Sequence, residues 1–421
     1  MRFLVVILTA LAVAPSASAW TTIAGNVQNI VVPSMLVTQS GTVLVAWESR
    51  TANTISVARA HGSAKVVVSG DPSSGRTQLV QQPSGAIQLY FPNLAGVARL
   101  TSTDDGQTWS APAQTQSHQS SGVTGAAVAP DGTPYFVQEG TGYVDVFRGL
   151  NGETSRNIFT RCCGYAASVA VDTNGLVQVA FYSNADPDGT FLYARLASDL
   201  SVASSVPLKP TARHDDRVPL VADRSGNTFM AWPPGYPEAT GLTVVPFSGG
   251  GPAGDGVDFR GTFTGGDPDA ALTVDSEDRL WAVWTVGGAV HAARSRTHGR
   301  DFGAVVGASV PGTTYQLSAT AVAGAGPGTV DVVVNTGAAL LEQSLQPGLS
   351  VRVTKTTKKV GKKKIVTHYV QALDDGFGVP GASFRIHGRT YHGNSTGKAK
   401  VPAGSGKAAA PGYAGASFNV R

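Results

Sequence analysis

The sequence predicts an all-β protein in two parts, a long series of repeated hairpins followed by a small β-sandwich. Two observations lead to this prediction: one apolar hairpin phrase recurs along most of the chain, and the charge composition changes abruptly near residue 349. Glycine supplies 51 of the 421 residues and charged residues only 14%. Such a turn-rich, weakly charged composition favours strands over long helices.

The first element is the leader-like segment of residues 1–19, MRFLVVILTALAVAPSASA. A single cationic residue, an apolar run and a small-residue ending are typical of a secretory signal peptide. We therefore expect cleavage before Trp20 and a secreted or surface-associated protein. No later stretch reaches the roughly 18 apolar residues of a membrane span, so the sequence predicts no transmembrane segment.

The second element is a repeat that occurs seven times between residues 35 and 334, an apolar strand, a turn and a second apolar strand. The turn residues, spaced 43 to 52 positions apart, are Gly41, Gly85, Gly132, Gly175, Gly226, Asp278 and Gly328. A third strand follows most hairpins and carries an arginine in a fixed setting, namely Arg59, Arg99, Arg148, Arg195 and Arg294. Four-stranded units of this length are typical of β-propeller blades. Seven hairpins favour seven blades over residues 20–348; the alternative is six blades with one hairpin used differently.

The segment STDDGQTW, residues 102–109, follows the third strand of the second repeat. Aspartate accepts hydrogen bonds from nearby backbone N–H groups, glycine permits positive φ, and tryptophan can cover a blade core. We therefore interpret the segment as a turn lock rather than a catalytic acid pair. Its pattern resembles the Asp-box of the sialidase/BNR-repeat propeller superfamily, with the matching residues Ser102, Asp104, Gly106, Thr108 and Trp109. A partial copy, SRTHGRDF, occurs at the same place in the sixth repeat.

This resemblance implies a sialidase-like propeller with a ligand site at its axis. Members of the family open the first blade with an aromatic-Arg-Ile-Pro segment whose arginine grips the substrate carboxylate, but here Val31 stands at the arginine position. An isopropyl group cannot replace a bidentate guanidinium contact. We therefore predict a non-catalytic or degenerate member that binds glycan or an anionic cell-envelope polymer. The alternatives are an exo-acting, sialidase-related glycoside hydrolase and a structural surface protein that binds a protein partner.

Residues that enter the first strand of each repeat are expected to line the axis. Counting back from the turns, and including the loops that lead in, gives the candidate ligand-binding residues Arg76, Arg213, Arg217, Asp267, Asp269 and Tyr315, with Tyr165 nearby. Such groups would hydrogen-bond an acidic sugar, or else form a rim of ion pairs between blades. For catalysis, the resemblance to enzymes with a tyrosine nucleophile leaves Tyr315 as the candidate nucleophile and Asp215 or Asp269 as the acid.

The only cysteines, Cys162 and Cys163, are adjacent. In an oxidising compartment they either close a vicinal disulfide beside a ligand or remain buried thiols in a tight turn. No metal site or cofactor is predicted. The sequence ADPDGT around Asp186 and Asp188 lacks the remaining ligands of a calcium loop, so we interpret it as a turn.

The last part, residues 349–421, carries 13 basic residues against 2 acidic ones, whereas residues 20–348 carry 18 against 26. Alternating stretches on either side of VGKKK predict a hairpin with a lysine-rich turn. The segments DDGFGVPGA, NSTGKAKV and APGYAGASFNV resemble small Ig-like or transthyretin-like β-sandwich modules of bacterial secreted proteins. Nine lysines indicate contact with an anionic polymer or a membrane surface, or else a solubilising face. Nucleic acid is not expected as a partner because stacking aromatics are sparse, and we expect a monomer.

Overall fold

The structure, a computed structural model, describes residues 20–27, 32–49, 52–59, 62–70, 76–118, 123–140, 142–161, 164–183, 190–208, 218–232, 241–248, 250–259, 269–297, 299, 301–312, 319–324 and 328–421. Within these ranges the chain is all-β. They contain no helix, and therefore none that is long and apolar enough to cross a membrane.

The chain before residue 346 forms seven antiparallel sheets in the described ranges. After β1 (Thr21–Gly25), the first sheet consists of β2 (Ser34–Val37), β3 (Val43–Ser49), β4 (Thr54–Arg59) and β5 (Lys65–Ser69). The second consists of β6 (Gln78–Gln81), β7 (Ile87–Asn93), β8 (Gly96–Ser102) and β9 (Ala113–Gln114). The third consists of β10 (Val123–Val128), β11 (Pro134–Gly140), β12 (Tyr143–Arg148) and β13 (Thr154–Phe159).

The next four sheets repeat this order. The fourth consists of β14 (Gly164–Val171), β15 (Val177–Ser183), β16 (Thr190–Leu196) and β17 (Val202–Pro207). The fifth consists of β18 (Leu220–Ala222), β19 (Thr228–Trp232), β20 (Thr243–Ser248), β21 (Gly251–Pro252) and β22 (Val257–Asp258). The sixth consists of β23 (Asp269–Val274), β24 (Arg279–Val286), β25 (Ala289–Thr297) and β26 (Val306–Ser309). The seventh consists of β27 (Ala319–Ala323), β28 (Val330–Asn335) and β29 (Ala339–Leu345), and β1 completes it by pairing with β29.

The seven sheets are arranged around one axis. The first strand of each sheet contacts the first strands of its two neighbours, and the cycle closes where β2 contacts β27. All seven first strands line a single axial cavity of about 320 Å³. An apolar cluster fills the space between every two neighbouring sheets. This packing explains why central strands such as β7 and β24 are near-continuous apolar runs, since both of their faces are buried.

The hairpin turns between first and second strands lie at one end of the ring, which we call the lower face. All seven turn residues predicted from the repeat adopt positive φ, between 62° and 90°. Glycine takes this conformation without steric cost. The exception is Asp278 in the sixth sheet, whose carboxylate accepts hydrogen bonds from Arg224 N–H and Ser225 Oγ of the fifth sheet. The opposite end, where the first strands begin, is the upper face.

The C-terminal part forms two further sheets. One consists of β30 (Ser350–Val360), β31 (Lys363–Asp374), β32 (Phe377–Gly378) and β35 (Lys398–Val401). The other consists of β33 (Ser383–Ile386), β34 (Arg389–His392), β36 (Gly404–Ala409) and β37 (Ala416–Val420). Both sheets contribute to one apolar cluster that includes Val370 and Ala399 from the first and Phe384 and Phe418 from the second.

The C-terminal part contacts the lower face of the sixth sheet. Buried Arg294 of β25 donates a hydrogen bond to Asp374 at the end of β31, at 2.8 Å, and Tyr413 donates to the same carboxylate at 3.0 Å. Arg279 of β24 lies 3.5 Å from it. The Arg294 guanidinium also lies over the rings of Trp281 and Tyr413. Arg279 and Arg294 of the ring thus both contact Asp374, one of the two acidic residues of the basic C-terminal part.

Candidate functional site

Arg76 lies on the upper face, two residues before β6 begins. Gln78, two residues further along, lines the axial cavity. Its side-chain Nε2 donates a hydrogen bond to the carbonyl of Thr124 at 3.0 Å. Arg76 is itself half-buried, and its Nη1 atom is buried with no hydrogen-bond partner among the described residues. The described residues thus leave one N–H donor group of this guanidinium unpaired.

Glu139, near the end of β11, is the carboxylate that faces Arg76. Its Oε2 accepts a hydrogen bond from the N–H of Ala167 at 2.7 Å. Burial raises the pKa of Glu139 above its ordinary value, although the positive charge of Arg76 and the backbone N–H groups of Ala166 and Ala167 act in the opposite direction. The carboxyl group therefore holds a proton more readily than an exposed glutamate does.

The backbone beside Glu139 is strained. Ala166 has a φ of 53°, and the pairing of β14 with β15 shifts register between Tyr165 and Ser168. A left-handed conformation at a non-glycine residue costs on the order of 1 kcal/mol. The bulge places successive N–H groups against the Glu139 carboxylate, so the strain is coupled to the position of a titratable group.

A second polar group lies on the upper face between the second and third sheets. His118 Nε2 is 2.6 Å from Asp145 Oδ2, and the Asp145 carboxylate is buried whereas His118 is more than half exposed. Gln138 fixes the histidine backbone from both sides, since its Oε1 accepts from His118 N–H and its Nε2 donates to His118 carbonyl, both at 2.9 Å. The second carboxylate oxygen, Oδ1 of Asp145, is buried without a partner in the described part of the chain.

Tyr143 packs beside this pair. Its ring centroid lies 5.1 Å from that of His118. The ring lies over Gly140, where a Cβ atom would come within 2.5 Å of the ring in its present position. Burial raises the pKa of Tyr143, and the negative charges of Asp145 and Glu139 add to the effect.

These side chains together can bind a polar ligand and move protons. A histidine oriented by a buried carboxylate is an arrangement found in general acid–base sites. A free guanidinium N–H recognises carboxylates and hydroxyls. In the part of the chain that is described, no three His, Cys, Asp or Glu side chains are arranged to hold a metal ion.

The structure places the described candidates from the sequence as follows. Arg76 and Asp269 both lie where a first strand begins, in the second and sixth sheets. Tyr165 is half-buried in the cluster between the fourth and fifth sheets, with its ring 6.2 Å from that of Tyr182. The other predicted residues lie outside the described ranges: Val31, Cys162, Cys163, Asp186, Asp188, Arg213, Asp215, Arg217, Asp267 and Tyr315.

His118, Asp145, Glu139 and Tyr143 were not among the predicted site residues. Counting back from each lower turn to the first strand reaches only residues that enter the ring at the axis. The missed residues lie in the loop before β10 and around the turn between β11 and β12. The close spacing of Glu139, Tyr143 and Asp145 around a glycine was the available signal.

The segment STDDGQTW lies on the lower face, between β8 and β9, away from these groups. Asp104 accepts hydrogen bonds from Thr108 N–H and Ser102 Oγ, both at 2.8 Å, and Gly106 N–H donates to Ser102 Oγ at 2.9 Å. The hydrogen bonds from Thr108 lower the pKa of Asp104 to about 2. Trp109 packs against the cluster between the first and second sheets. The segment therefore forms a turn that its own side-chain hydrogen bonds close.

Comparison with known proteins identifies the fold. No family model matches the sequence, and no curated protein matches it. Among solved structures, a streptogramin B lyase is similar at 11% identity and a TM-score of 0.52, with 77% of this chain and 96% of that chain covered. A catalytically inactive virginiamycin B lyase from Staphylococcus aureus, with quinupristin, is similar at 10% identity and a TM-score of 0.51, with 77% and 97% covered. A Hadza microbial sialidase aligns at 14% identity and a TM-score of 0.45, with 75% and 65% covered.

These likenesses define the class of protein by fold alone. The chain has an all-β, propeller-type fold built from four-stranded antiparallel sheets. At such identities the fold is shared by proteins of different activities, so function has to be argued from the site.

Proposed function

We propose that the protein is an exported, seven-bladed propeller with a C-terminal β-sandwich, and that its upper face binds a glycan or an anionic cell-envelope polymer. The cyclic contacts of seven first strands support seven blades. The shared cluster of the two C-terminal sheets supports the sandwich. The leader-like residues 1–19 support export.

One observation gives the ligand its chemistry: Arg76, two residues before the cavity-lining Gln78, has a buried Nη1 atom without a partner in the described residues. Leaving a buried donor unpaired is unfavourable, and a ligand oxygen would restore the missing hydrogen bond. Glu139 beside it, whose pKa is raised by burial, offers a carboxyl group to a ligand hydroxyl. A sugar that carries both hydroxyl and carboxylate groups fits this pair.

The test is binding of the full-length protein to an array of neutral and acidic glycans and to fractionated cell-envelope polymer. We expect Arg76→Ala to weaken binding roughly 10- to 100-fold, as loss of a hydrogen bond to a charged group does. Arg76→Lys keeps the charge but loses the planar fork, so it should restore binding only in part. Arg156→Ala, at an exposed position on β13, is the matched control. Equal binding by all four proteins, or no binding by the wild type, would refute the proposal.

A second candidate function is catalysis on a glycan by acid–base chemistry, and the His118–Asp145 pair favours it. The buried Asp145 carboxylate orients the imidazole, an arrangement shared by many general acids and bases. This candidate retains the glycoside hydrolase alternative and proposes His118 as the proton-transfer group in place of Asp215 or Asp269; Tyr315, the candidate nucleophile, lies outside the described residues.

Turnover assays separate the two functions. With a panel of fluorogenic glycosides and acidic polysaccharides, the catalytic alternative predicts that His118→Gln lowers kcat roughly 100- to 10,000-fold. The control is His392→Gln, at an exposed position on β34. Absence of wild-type turnover on every substrate, with glycan binding intact, would eliminate the catalytic alternative and leave the binding function.

A further inference from the structure

The hairpin of β30 and β31 extends beyond the sheet that contains it. The two strands pair continuously from Ser350 with Leu373 to Val360 with Lys363. The third strand β35 pairs with β31 only between His368 and Gln371. Residues 355–367, which we call the distal hairpin, are therefore two-stranded over most of their length, and residues 355–366 are all exposed. An isolated two-stranded hairpin is at best marginally stable in water.

The distal hairpin is strongly cationic. It contains six lysines and no acidic residue, the lysines being Lys355, Lys358, Lys359, Lys362, Lys363 and Lys364. Lys359 lies directly opposite Lys364 across the strands, an arrangement of like charges that is unfavourable. None of the six takes part in an ion pair among the described residues. An anionic surface would relieve this repulsion.

Apolar side chains project from the same hairpin. Val360, Ile365 and Val366 are 51%, 50% and 44% exposed. Because side chains alternate along a strand, Val360 and Ile365 share one face as a diagonal cross-strand pair, flanked by Lys358 and Lys363. Val366 lies on the other face. Exposed apolar side chains would contribute nothing to a purely ionic contact with a hydrophilic polymer.

We propose that the distal hairpin binds the surface of an anionic lipid bilayer. The lysine ammonium groups contact headgroup phosphates, while their aliphatic stems and the side chains of Val360 and Ile365 lie at the boundary with the acyl chains. Interfacial binding combines electrostatic attraction with buried apolar area, and lysine side chains suit this position because stem and charge separate along their length. The inference is independent of the upper-face site.

The experiment is co-sedimentation of the full-length protein with vesicles of phosphatidylcholine alone or mixed equally with phosphatidylglycerol. We expect binding to the mixed vesicles only, weakened by salt. Lys359→Gln/Lys364→Gln should weaken it by roughly 10-fold or more, since each lysine near an anionic membrane contributes to the attraction. The matched control is Lys400→Gln/Lys407→Gln, two exposed lysines of β35 and β36, which should bind like the wild type.

The apolar side chains distinguish lipid from polymer. Val360→Ser/Ile365→Ser should weaken vesicle binding roughly 10-fold and leave retention on soluble polyphosphate unchanged. All substituted positions are exposed, so circular dichroism should show an unaltered fold. If vesicle binding is insensitive to Val360→Ser/Ile365→Ser, or if these substitutions weaken retention on polyphosphate to the same extent, the apolar side chains make no lipid contact and the lipid proposal is wrong. Failure of the wild type to bind mixed vesicles would also overturn it.

Discussion

At the scale of single residues, two adjacent acids on the lower face serve different contacts. Asp104 holds its own turn through Thr108 and Ser102. Asp105, with a φ of 59°, instead reaches the first sheet, where it accepts hydrogen bonds from Ser40 Oγ at 2.7 Å and from Thr42 Oγ1. Asp104 thus closes its own turn, and Asp105 joins the second sheet to the first. A short polar motif thus contributes to both local and tertiary structure, with no catalytic role required.

Glu139 gives a prediction about pH at this scale. Because the pKa of Glu139 is raised in the folded state, the unfolded chain releases this proton at lower pH than the folded protein does. Its contribution to the free energy of unfolding therefore falls as pH rises through the ordinary carboxyl pKa of about 4.3. We expect Glu139→Gln, which resembles the protonated form, to unfold at a higher temperature than wild type at pH 7 and at the same temperature at pH 3.5.

The control for this prediction has the opposite sign. Hydrogen bonds from Thr133 lower the pKa of Asp131, so its stabilising effect is present at neutral pH and is lost as pH falls. Asp131→Asn should therefore lower the unfolding temperature at pH 7 and have less effect in acid. Calorimetric scans of both variants between pH 3.5 and 7 provide the measurement. If Glu139→Gln lowers the unfolding temperature at pH 7, as Asp131→Asn is expected to do, the ionised Glu139 carboxylate does not destabilise the folded protein and the prediction is wrong.

At the scale of elements, two of the third-strand arginines join neighbouring sheets. Arg59 donates to Asp105 of the second sheet at 3.3 Å, and Arg99 donates to Asn151 of the third at 3.0 Å. Arg294 of the sixth sheet donates instead to the C-terminal part. The same strand position thus forms a link between sheets early in the chain and a link to the C-terminal part near its end.

The lower turns repeat a second device. Asp172, Asp223 and Asp275 are buried, and each accepts a hydrogen bond from the N–H four residues further along, across its turn. A buried carboxylate is stable here because the turn itself supplies the donors. The recurring sequence pattern of an apolar strand, an aspartate and a turn residue therefore corresponds to this hydrogen-bonded turn.

The sequence predicted those elements whose cause is local. Apolar runs and turn residues located the hairpins, since alternation, positive φ and turn hydrogen bonds are decided within a few residues. The upper-face groups are different, because His118 meets Asp145 across 27 positions and Glu139 meets Ala167 across 28. Which loops converge depends on the rotation between sheets, and no short pattern specifies it. Arg76 was predicted because its place follows from counting along one strand.

At the scale of the whole molecule, the two ends of the ring are joined by backbone pairing. β1 pairs with β29 and so completes the seventh sheet with residues that precede the first. Trp20 beside it donates from Nε1 to the carbonyl of Ser309 in the sixth sheet at 2.8 Å. This pairing covers the edge of β29 and ties the first described strand to the last sheet of the ring, so the sheets depend on one another. The repeat alone did not indicate this pairing, because β1 lies outside the hairpin phrase.

The contact between the ring and the C-terminal part gives the last prediction. Arg294 is 3% exposed, and its partner Asp374 also accepts from Tyr413. Removing Arg294 deletes the closer cation of a largely buried ion pair and leaves Asp374 with Arg279 at 3.5 Å, so the cost should lie below the roughly 3 kcal/mol of a fully uncompensated buried charge. We therefore expect Arg294→Ala to lower the urea midpoint of unfolding, monitored by tryptophan fluorescence, since Trp281 lies beside the guanidinium. Adding Asp374→Asn should recover part of this loss, because it removes the carboxylate that has lost its closer arginine, and a double-mutant cycle measures the coupling. Strictly additive effects would mean that the C-terminal part is held by its apolar and backbone contacts alone, such as the hydrogen bond from Ala414 N–H to the Pro347 carbonyl at 2.9 Å.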